Sequence, residues 1–145
     1  MPIDTRDAAP TDVATILGLD EIARTESGRA AFIRAAVGAD GCVVAEDGGR
    51  TVGYGVLEYS FFGHGFVSMV YVVRDARRHG VGAALLGALG RRCTTAKLFT
   101  STNASNLPMQ ALLVKSGFEL SGIIHNLDPG DPELVYVRML EAGRG

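Results

Sequence analysis

The sequence predicts a mixed α/β domain with a central sheet flanked by helices. Three observations carry that prediction. The apolar period changes from helical to alternating near Cys42, and returns to helical at Val81. A glycine turn, Gly80-Val-Gly82, separates a run of β-branched residues from a strongly amphipathic segment. The chain has 145 residues, 47% apolar and 21% charged, which suits one compact domain, residues 1–145, with a real core.

Ile3–Thr5 reads as a short opening strand. Thr11 or Pro10 opens a short helix whose Val13, Ile16 and Leu17 share a face. A second helix covers roughly Glu26–Val37, gathering Phe32, Ile33, Ala36 and Val37, and Gly38-Ala-Asp-Gly41 ends it. Cys42–Glu46 is a short apolar strand, and Asp47-Gly-Gly49 is a hairpin turn of the kind that needs positive φ. Thr51–Tyr59 alternates, with Val52, Tyr54, Val56 and Glu58 on one side.

Phe61–Gly65 forms the next turn region, and its adjacent Phe61 and Phe62 cannot easily both point inward. Phe66–Val73 is a longer strand, and its Met69–Val73 run lacks alternation, as in a strand covered on both faces. Val81, Ala84, Leu85, Ala88 and Leu89 then share one helical face. Lys97–Ser101 is a strand and Asn103–Asn106 a polar turn. Pro108–Ser116 is helical, with Met109, Leu112 and Leu113 inward and Gly117 as its stop. Gly122–Leu127 and Leu134–Leu140 close the chain as strands around a Pro/Gly turn.

Composition excludes several function classes. A net charge of -2 gives no general attraction to nucleic acid or acidic membranes. The one local basic patch is Arg74–Arg78, and no aromatic platform for stacking bases accompanies it. No apolar run approaches the ~20 residues of a membrane span, and the first residues lack the apolar stretch of a signal peptide. The expected location is therefore the cytoplasm. Cys42 and Cys93 have neither metal-ligand nor redox spacing, so two inert thiols and no metal are expected.

The stretch that carries chemistry is Arg77-Arg78-His79-Gly80-Val81-Gly82-Ala83, between the long strand and the amphipathic helix. Glycines there let the backbone approach a ligand without a Cβ in the way. The helix start presents unpaired N–H groups and the positive end of its dipole, which suits a pyrophosphate. Arg77 and Arg78 add charge, while His79 matters more for its backbone than for its ring. The dinucleotide fingerprint fails, because only two of its glycines fit and no acidic residue follows at the right distance. The nucleoside-triphosphate loop fails for want of Gly-Lys-Ser/Thr.

Arg77-x-x-Gly80-x-Gly82 resembles the Gln/Arg-x-x-Gly-x-Gly/Ala signature of the GNAT acetyltransferases. Val70–Val73 resembles the strand before that signature, and Val81–Leu89 the helix after it. Asn106, followed by a helix ending Lys115-Ser-Gly117-Phe118, is similar to the family's second signature. The resemblance implies a mostly antiparallel central sheet of six to seven strands with helices on both faces. It also implies acetyl-CoA as cofactor, and transfer of acetyl to a primary amine by direct attack in a ternary complex. A small-molecule amine is slightly favoured over a protein, because no acidic groove for a polybasic tail can be read.

Residue by residue, the resemblance implies that the backbone of Val70, Tyr71, Val72 and Val73 pairs with the pantetheine amides. Arg77 to Ala83 would cradle the pyrophosphate, Asn106 would hydrogen-bond the pantetheine, and Leu112 and Leu113 would line the thioester side. Two family positions depart from pattern: Leu113 stands where many members carry an acidic tyrosine, and Ser101 where some carry a basic glutamate. Substitutes are Glu58, His64, Tyr54 and Tyr136, with Glu58 and His64 the preferred catalytic pair. Asp128, Asp131 and Glu133 fall in one turn and could attract a cationic amine, although turn chemistry alone explains most of them. A non-catalytic acyl-CoA sensor is the alternative function that the two departures keep open. The sequence leaves the oligomeric state open, and the resemblance implies a homodimer paired through exposed sheet edges or C-terminal strands.

Overall fold

The computed structural model describes residues 2–140, so the ends of the expected domain, residue 1 and residues 141–145, lie outside the described residues. The chain order is β1 (Asp4–Asp7), a 3-10 turn (Pro10–Asp12), α1 (Val13–Leu19), α2 (Ser27–Gly38), β2 (Cys42–Asp47), β3 (Arg50–Phe61) and β4 (His64–Val72). A second 3-10 turn (Arg74–Ala76) follows, then α3 (Val81–Arg92), β5 (Lys97–Asn103), α4 (Leu107–Lys115), β6 (Glu119–Ile124) and β7 (Glu133–Met139). The strands form one seven-stranded sheet in the order β1-β2-β3-β4-β5-β7-β6. Pairing is antiparallel for β1 with β2, β2 with β3, and β7 with both β5 and β6, while β4 and β5 run parallel. This is the mixed, mostly antiparallel fold that the sequence predicts.

Contacts divide the chain into two compact units. The first comprises the chain up to Leu57 together with Met69–Arg91. Its hairpin β2–β3 turns on Gly48 and Gly49, at φ 58° and 86°, so that Asp47 pairs with Arg50. Tyr54 and Val56 of β3 pack with Ile16 of α1, Ile33 and Val37 of α2, and Val44 of β2. The other face of β3 is buried as well, because it carries glycine. A Cβ at Gly53 would stand 2.6 Å from the Tyr71 carbonyl oxygen and 3.2 Å from Val81, and one at Gly55 2.8 Å from Leu89. Two glycines cost a strand roughly 0.5–1 kcal/mol each. Leu85, Leu86 and Leu89 of α3 are fully buried, and each contributes about 1.5–3 kcal/mol. Seating α3 on bare backbone is therefore the favourable exchange, and it puts helices on both faces of β3.

Asp12 joins β1 to the first helical turn. Its carboxylate accepts from the Ala9 N–H at 2.7 Å and from Arg6 at 2.8 and 2.9 Å. The Arg6 hydrogen bonds, chiefly, hold its pKa down to about 2. An aspartate of the unfolded chain titrates near ~3.9. The pairing therefore stabilises fully above that value and is lost as pH falls towards 2. Thermal melts of wild type and Asp12→Asn should differ at pH 6 and converge near pH 2, a smaller effect than any core change because Arg6 is exposed.

The second unit comprises Glu58–Ser68 and the chain from Arg92 onward. Phe62 and Gly63, at φ 52° and 77°, form the loop of the β3–β4 hairpin. His64 therefore opens β4 and does not lie in the turn, as the sequence suggested. Phe61 stacks on Phe66 with centroids 5.0 Å apart and leans on Phe99, while Phe62 is 87% exposed. Gly65, Phe66 and Val67 of β4 pair with Leu98, Phe99 and Thr100 of β5. Val67 with Thr100 is the last pair of this ladder.

Several details differ from the sequence reading. Asn103 ends a strand, and β6 begins at Glu119, before Gly122, and ends at Ile124. It is an edge strand with Leu120 and Ile123 exposed, so its side chains carry no burial pattern to read. Met69–Val73 is half-buried throughout and is not covered on both faces. Gly117, at φ 90°, ends α4, and the Phe118 N–H donates to the Leu113 carbonyl at 2.9 Å. Among the described residues no helix is long and apolar enough to cross a membrane.

Candidate functional site

The first unit holds the glycine turn. β4 ends at Val72, and the Arg74–Ala76 turn leads the chain back towards α3. Arg78 sits at φ 65° and Gly80 at 85°, two left-handed residues that swing the chain into the helix. Such a conformation costs a non-glycine residue about 1–2 kcal/mol, and strain of this kind gathers at ligand-binding loops. Around Gly80 no atom lies within 4 Å of where a Cβ would be. The first intrahelical bond of α3 runs from the Ala84 N–H to the Gly80 carbonyl at 3.0 Å. Among the described residues, the N–H groups of Val81, Gly82 and Ala83 have no partner. Three free donors at the positive end of a twelve-residue helix have the chemistry that an anion requires.

The arginines divide their work. Arg74 is clamped to Glu21 at 2.9 and 3.1 Å, and that hydrogen-bonded pairing lowers the Glu21 pKa. Arg77 donates to the Val72 carbonyl at 2.9 Å and lies over the Tyr71 ring, 5.9 Å from its centroid. Arg78 has no partner among the described residues and is exposed, so it is the cation of this turn available to a phosphate. His79 is exposed beside it. Val70, Tyr71, Val72 and Val73 are half-buried, and the Tyr71 hydroxyl accepts from the Glu21 N–H at 3.3 Å. These residues fit a pyrophosphate-bearing ligand, because open space, unpaired donors and a free guanidinium coincide.

The second unit carries the remaining candidates. Asn106 caps α4, its Oδ1 accepting from the Met109 N–H at 3.2 Å. Leu112 is half-buried and Leu113 fully buried. Glu58 accepts from the Ser60 hydroxyl at 2.6 Å, and His64 packs beside Phe99 with centroids 5.6 Å apart. Glu58 and His64 share no hydrogen bond among the described residues. Ser101 donates to Glu133 at 2.6 Å, Asn103 to Asp128 at 2.8 Å, and Ser105 to Asp131 at 2.6 Å. Tyr136 is buried, and Tyr54 in the first unit is a core residue bonded to Asp20, so neither is a ready acid. Burial and the Asp20 hydrogen bond push the Tyr54 hydroxyl well above the usual tyrosine range.

Residues 13–118 match the model of the Acetyltransferase (GNAT) family. The chain belongs to the GNAT acetyltransferase family. Solved structures agree with that membership. A GNAT-family acetyltransferase from Bacillus cereus superposes with a TM-score of 0.91 at 29% identity, covering 97% of this chain and 99% of that one. The ribosomal-protein-S18-alanine N-acetyltransferase of Escherichia coli gives 0.79 at 19% identity over 99% and 98%. A putative acetyltransferase from Salmonella typhimurium, solved with its cofactor acetyl-CoA, gives 0.77 at 21% identity over 97% and 95%. No curated protein matches the sequence. Among GNAT features, Arg77-x-x-Gly80-x-Gly82 is the stretch the sequence made legible. The hydrogen bond between Ser101 and Glu133 was not, because 32 residues separate its partners.

Proposed function

We propose that this GNAT protein moves the acetyl group of acetyl-CoA to a primary amine by direct attack in a ternary complex. The observation that carries the proposal is the set of unpaired N–H groups at Val81, Gly82 and Ala83 beside the free Arg78. Bound acetyl-CoA supplies an activated acetyl group as a thioester. In this reading the α3 start holds the pyrophosphate, and backbone groups of the half-buried Val70–Val73 pair with the amides of the pantetheine arm, the Val73 N–H being already bonded to the Val52 carbonyl. A strand N–H near Val72 is suited to stabilise the oxyanion. The Arg77 side chain, spent on the Val72 carbonyl, orders that edge and leaves the phosphate to main chain and Arg78.

Attack needs a neutral amine, so protons must leave the nitrogen, directly or through water. Glu58 and His64 are assigned the steps after attack, Glu58 taking the remaining nitrogen proton and His64 serving the departing thiolate. A small amine is favoured over a protein because Asp128 and Asp131 of the last turn and Glu133 at the start of β7 gather acidic groups at one end of this hairpin, suited to one ammonium.

The test is calorimetric titration with acetyl-CoA, followed by a free-thiol assay against diamines, polyamines, aminoglycosides and short peptides. Micromolar binding with turnover of a small amine is expected. Binding without any turnover would instead make the protein a non-catalytic acyl-CoA sensor, and no binding would remove both readings.

A further inference from the structure

We infer that Glu133, steadied by Ser101, receives the acceptor ammonium and takes its first proton; the inference rests on the acetyl-transfer reading above. β5 and β7 pair without a break from Lys97 with Met139 to Asn103 with Glu133. Side chains two apart on a strand share a face, so Phe99, Ser101 and Asn103 stand in one row. Glu133, opposite Asn103, reaches diagonally along that row to the Ser101 hydroxyl, which donates to its Oε2 at 2.6 Å. Its other oxygen, Oε1, has no partner among the described residues. A carboxylate is thus held at one oxygen and left open at the other, as an ammonium receptor requires.

The position matters as much as the geometry. Ser101 follows Thr100, the last residue of β5 paired with β4, and Ser68 follows Val67, the last of β4. Next to that last pair, the Ser68 Oγ is buried without a hydrogen-bond partner. An orphaned buried hydroxyl is unfavourable, and here it marks a point where a bound group can complete the bonding. Asp128 and Asp131 offer less. Asp128 is taken up by Asn103, and Asp131 accepts from both the Ser105 N–H and hydroxyl.

The step balances with an acyl thioester as co-reactant. R–NH3+ gives one proton to the Glu133 carboxylate, becoming R–NH2. The nitrogen lone pair forms the C–N bond to the thioester carbonyl, the C–S bond breaks, and the sulfur leaves as thiolate and is protonated. The nitrogen loses a second proton, and Glu133 returns its own to solvent. The net change is one ammonium and one thioester to one amide, one thiol and one proton.

The experiment measures kcat/KM against pH for wild type, Glu133→Gln, Ser101→Ala and the exposed edge-strand control Glu119→Gln, using the best amine from the panel. Glu133→Gln keeps the Ser101 hydrogen bond, so acetyl-CoA affinity should be unchanged. At neutral pH it should lose about 100-fold in kcat/KM, within the usual worth of a general base. The loss should shrink as pH rises towards the amine's own pKa, where free amine no longer needs a base. Ser101→Ala should lose about 10-fold with the same pH signature, which keeps the test decisive should the glutamine variant misfold, and Glu119→Gln should match wild type. A Glu133→Gln profile equal to wild type, or a loss constant across pH, overturns the inference while leaving acetyl transfer intact. A wild type that binds acetyl-CoA but acetylates no amine overturns the functional reading, and this inference with it.

Discussion

Asp20→Ala should lower folding stability by about 3–5 kcal/mol, the loss expected when one member of a buried charged cluster is removed. Asp20 closes α1 and has no exposed surface. Its Oδ2 accepts from the Tyr54 hydroxyl at 2.5 Å and from Arg29 Nε at 2.9 Å, while Oδ1 takes the N–H groups of Ile22 and Ala23. One carboxylate thereby ties α1 to α2 and to β3. Alanine would strand a buried phenol and a mostly buried guanidinium, and neither could find water without opening the unit.

Desolvation pushes the Asp20 carboxyl pKa upward, but the hydrogen bonds from Tyr54, Arg29 and Ala23 outweigh it, and the group titrates below the usual aspartate range. Its stabilisation is therefore complete above the unfolded value near ~3.9 and is lost as pH falls through the lower folded value. Urea unfolding checks the prediction: the midpoint should drop with the slope unchanged. Since a domain of this kind has only ~5–15 kcal/mol in total, the variant should be poorly folded at growth temperature. A loss under about 1 kcal/mol would mean that Arg29 and Tyr54 find other partners and that packing alone holds the helices.

That cluster shows where sequence reading ends. Elements with a strong period or turn chemistry were legible: α3 from its leucines, the β2–β3 hairpin from Gly48 and Gly49, and the glycine turn that leads into α3. Asp20 was not, because its partners lie nine and 34 residues away. Gly53 and Gly55 fall on the side of the alternating Thr51–Tyr59 strand that the pattern left without a role, and they are the surface on which α3 rests. The Met69–Val73 run read as doubly covered because β-branched residues carry the same pattern whether a protein layer or a ligand is to lie against them. His64 moved from turn to strand because two residues, Phe62 and Gly63, suffice for the hairpin. The Ser101 contact with Glu133 depends on the β5–β7 register, which no local pattern fixes.

Gly82→Trp is the change expected to act most strongly on the cofactor, raising the acetyl-CoA dissociation constant more than 100-fold, or about 2.7 kcal/mol. Gly82 is the second residue of α3, half-buried, and its N–H is among the unpaired donors. An indole there would cover the donors of Val81 and Ala83 as well as its own. The same substitution should not harm the fold. Glycine is a poor helix former, tryptophan a better one by a few tenths of a kcal/mol, and Gly82 is only half-buried. Binding and stability should thus move in opposite directions, which separates a blocked cradle from a damaged protein. Arg78→Ala should weaken binding only about 10-fold, and less at high salt, because it removes one exposed charge and leaves the main-chain donors in place. Should Gly82→Trp, folded by circular dichroism, bind acetyl-CoA as wild type does, the phosphates do not sit at the α3 start. The backbone of Val70–Val73 would then have to carry the cofactor reading alone.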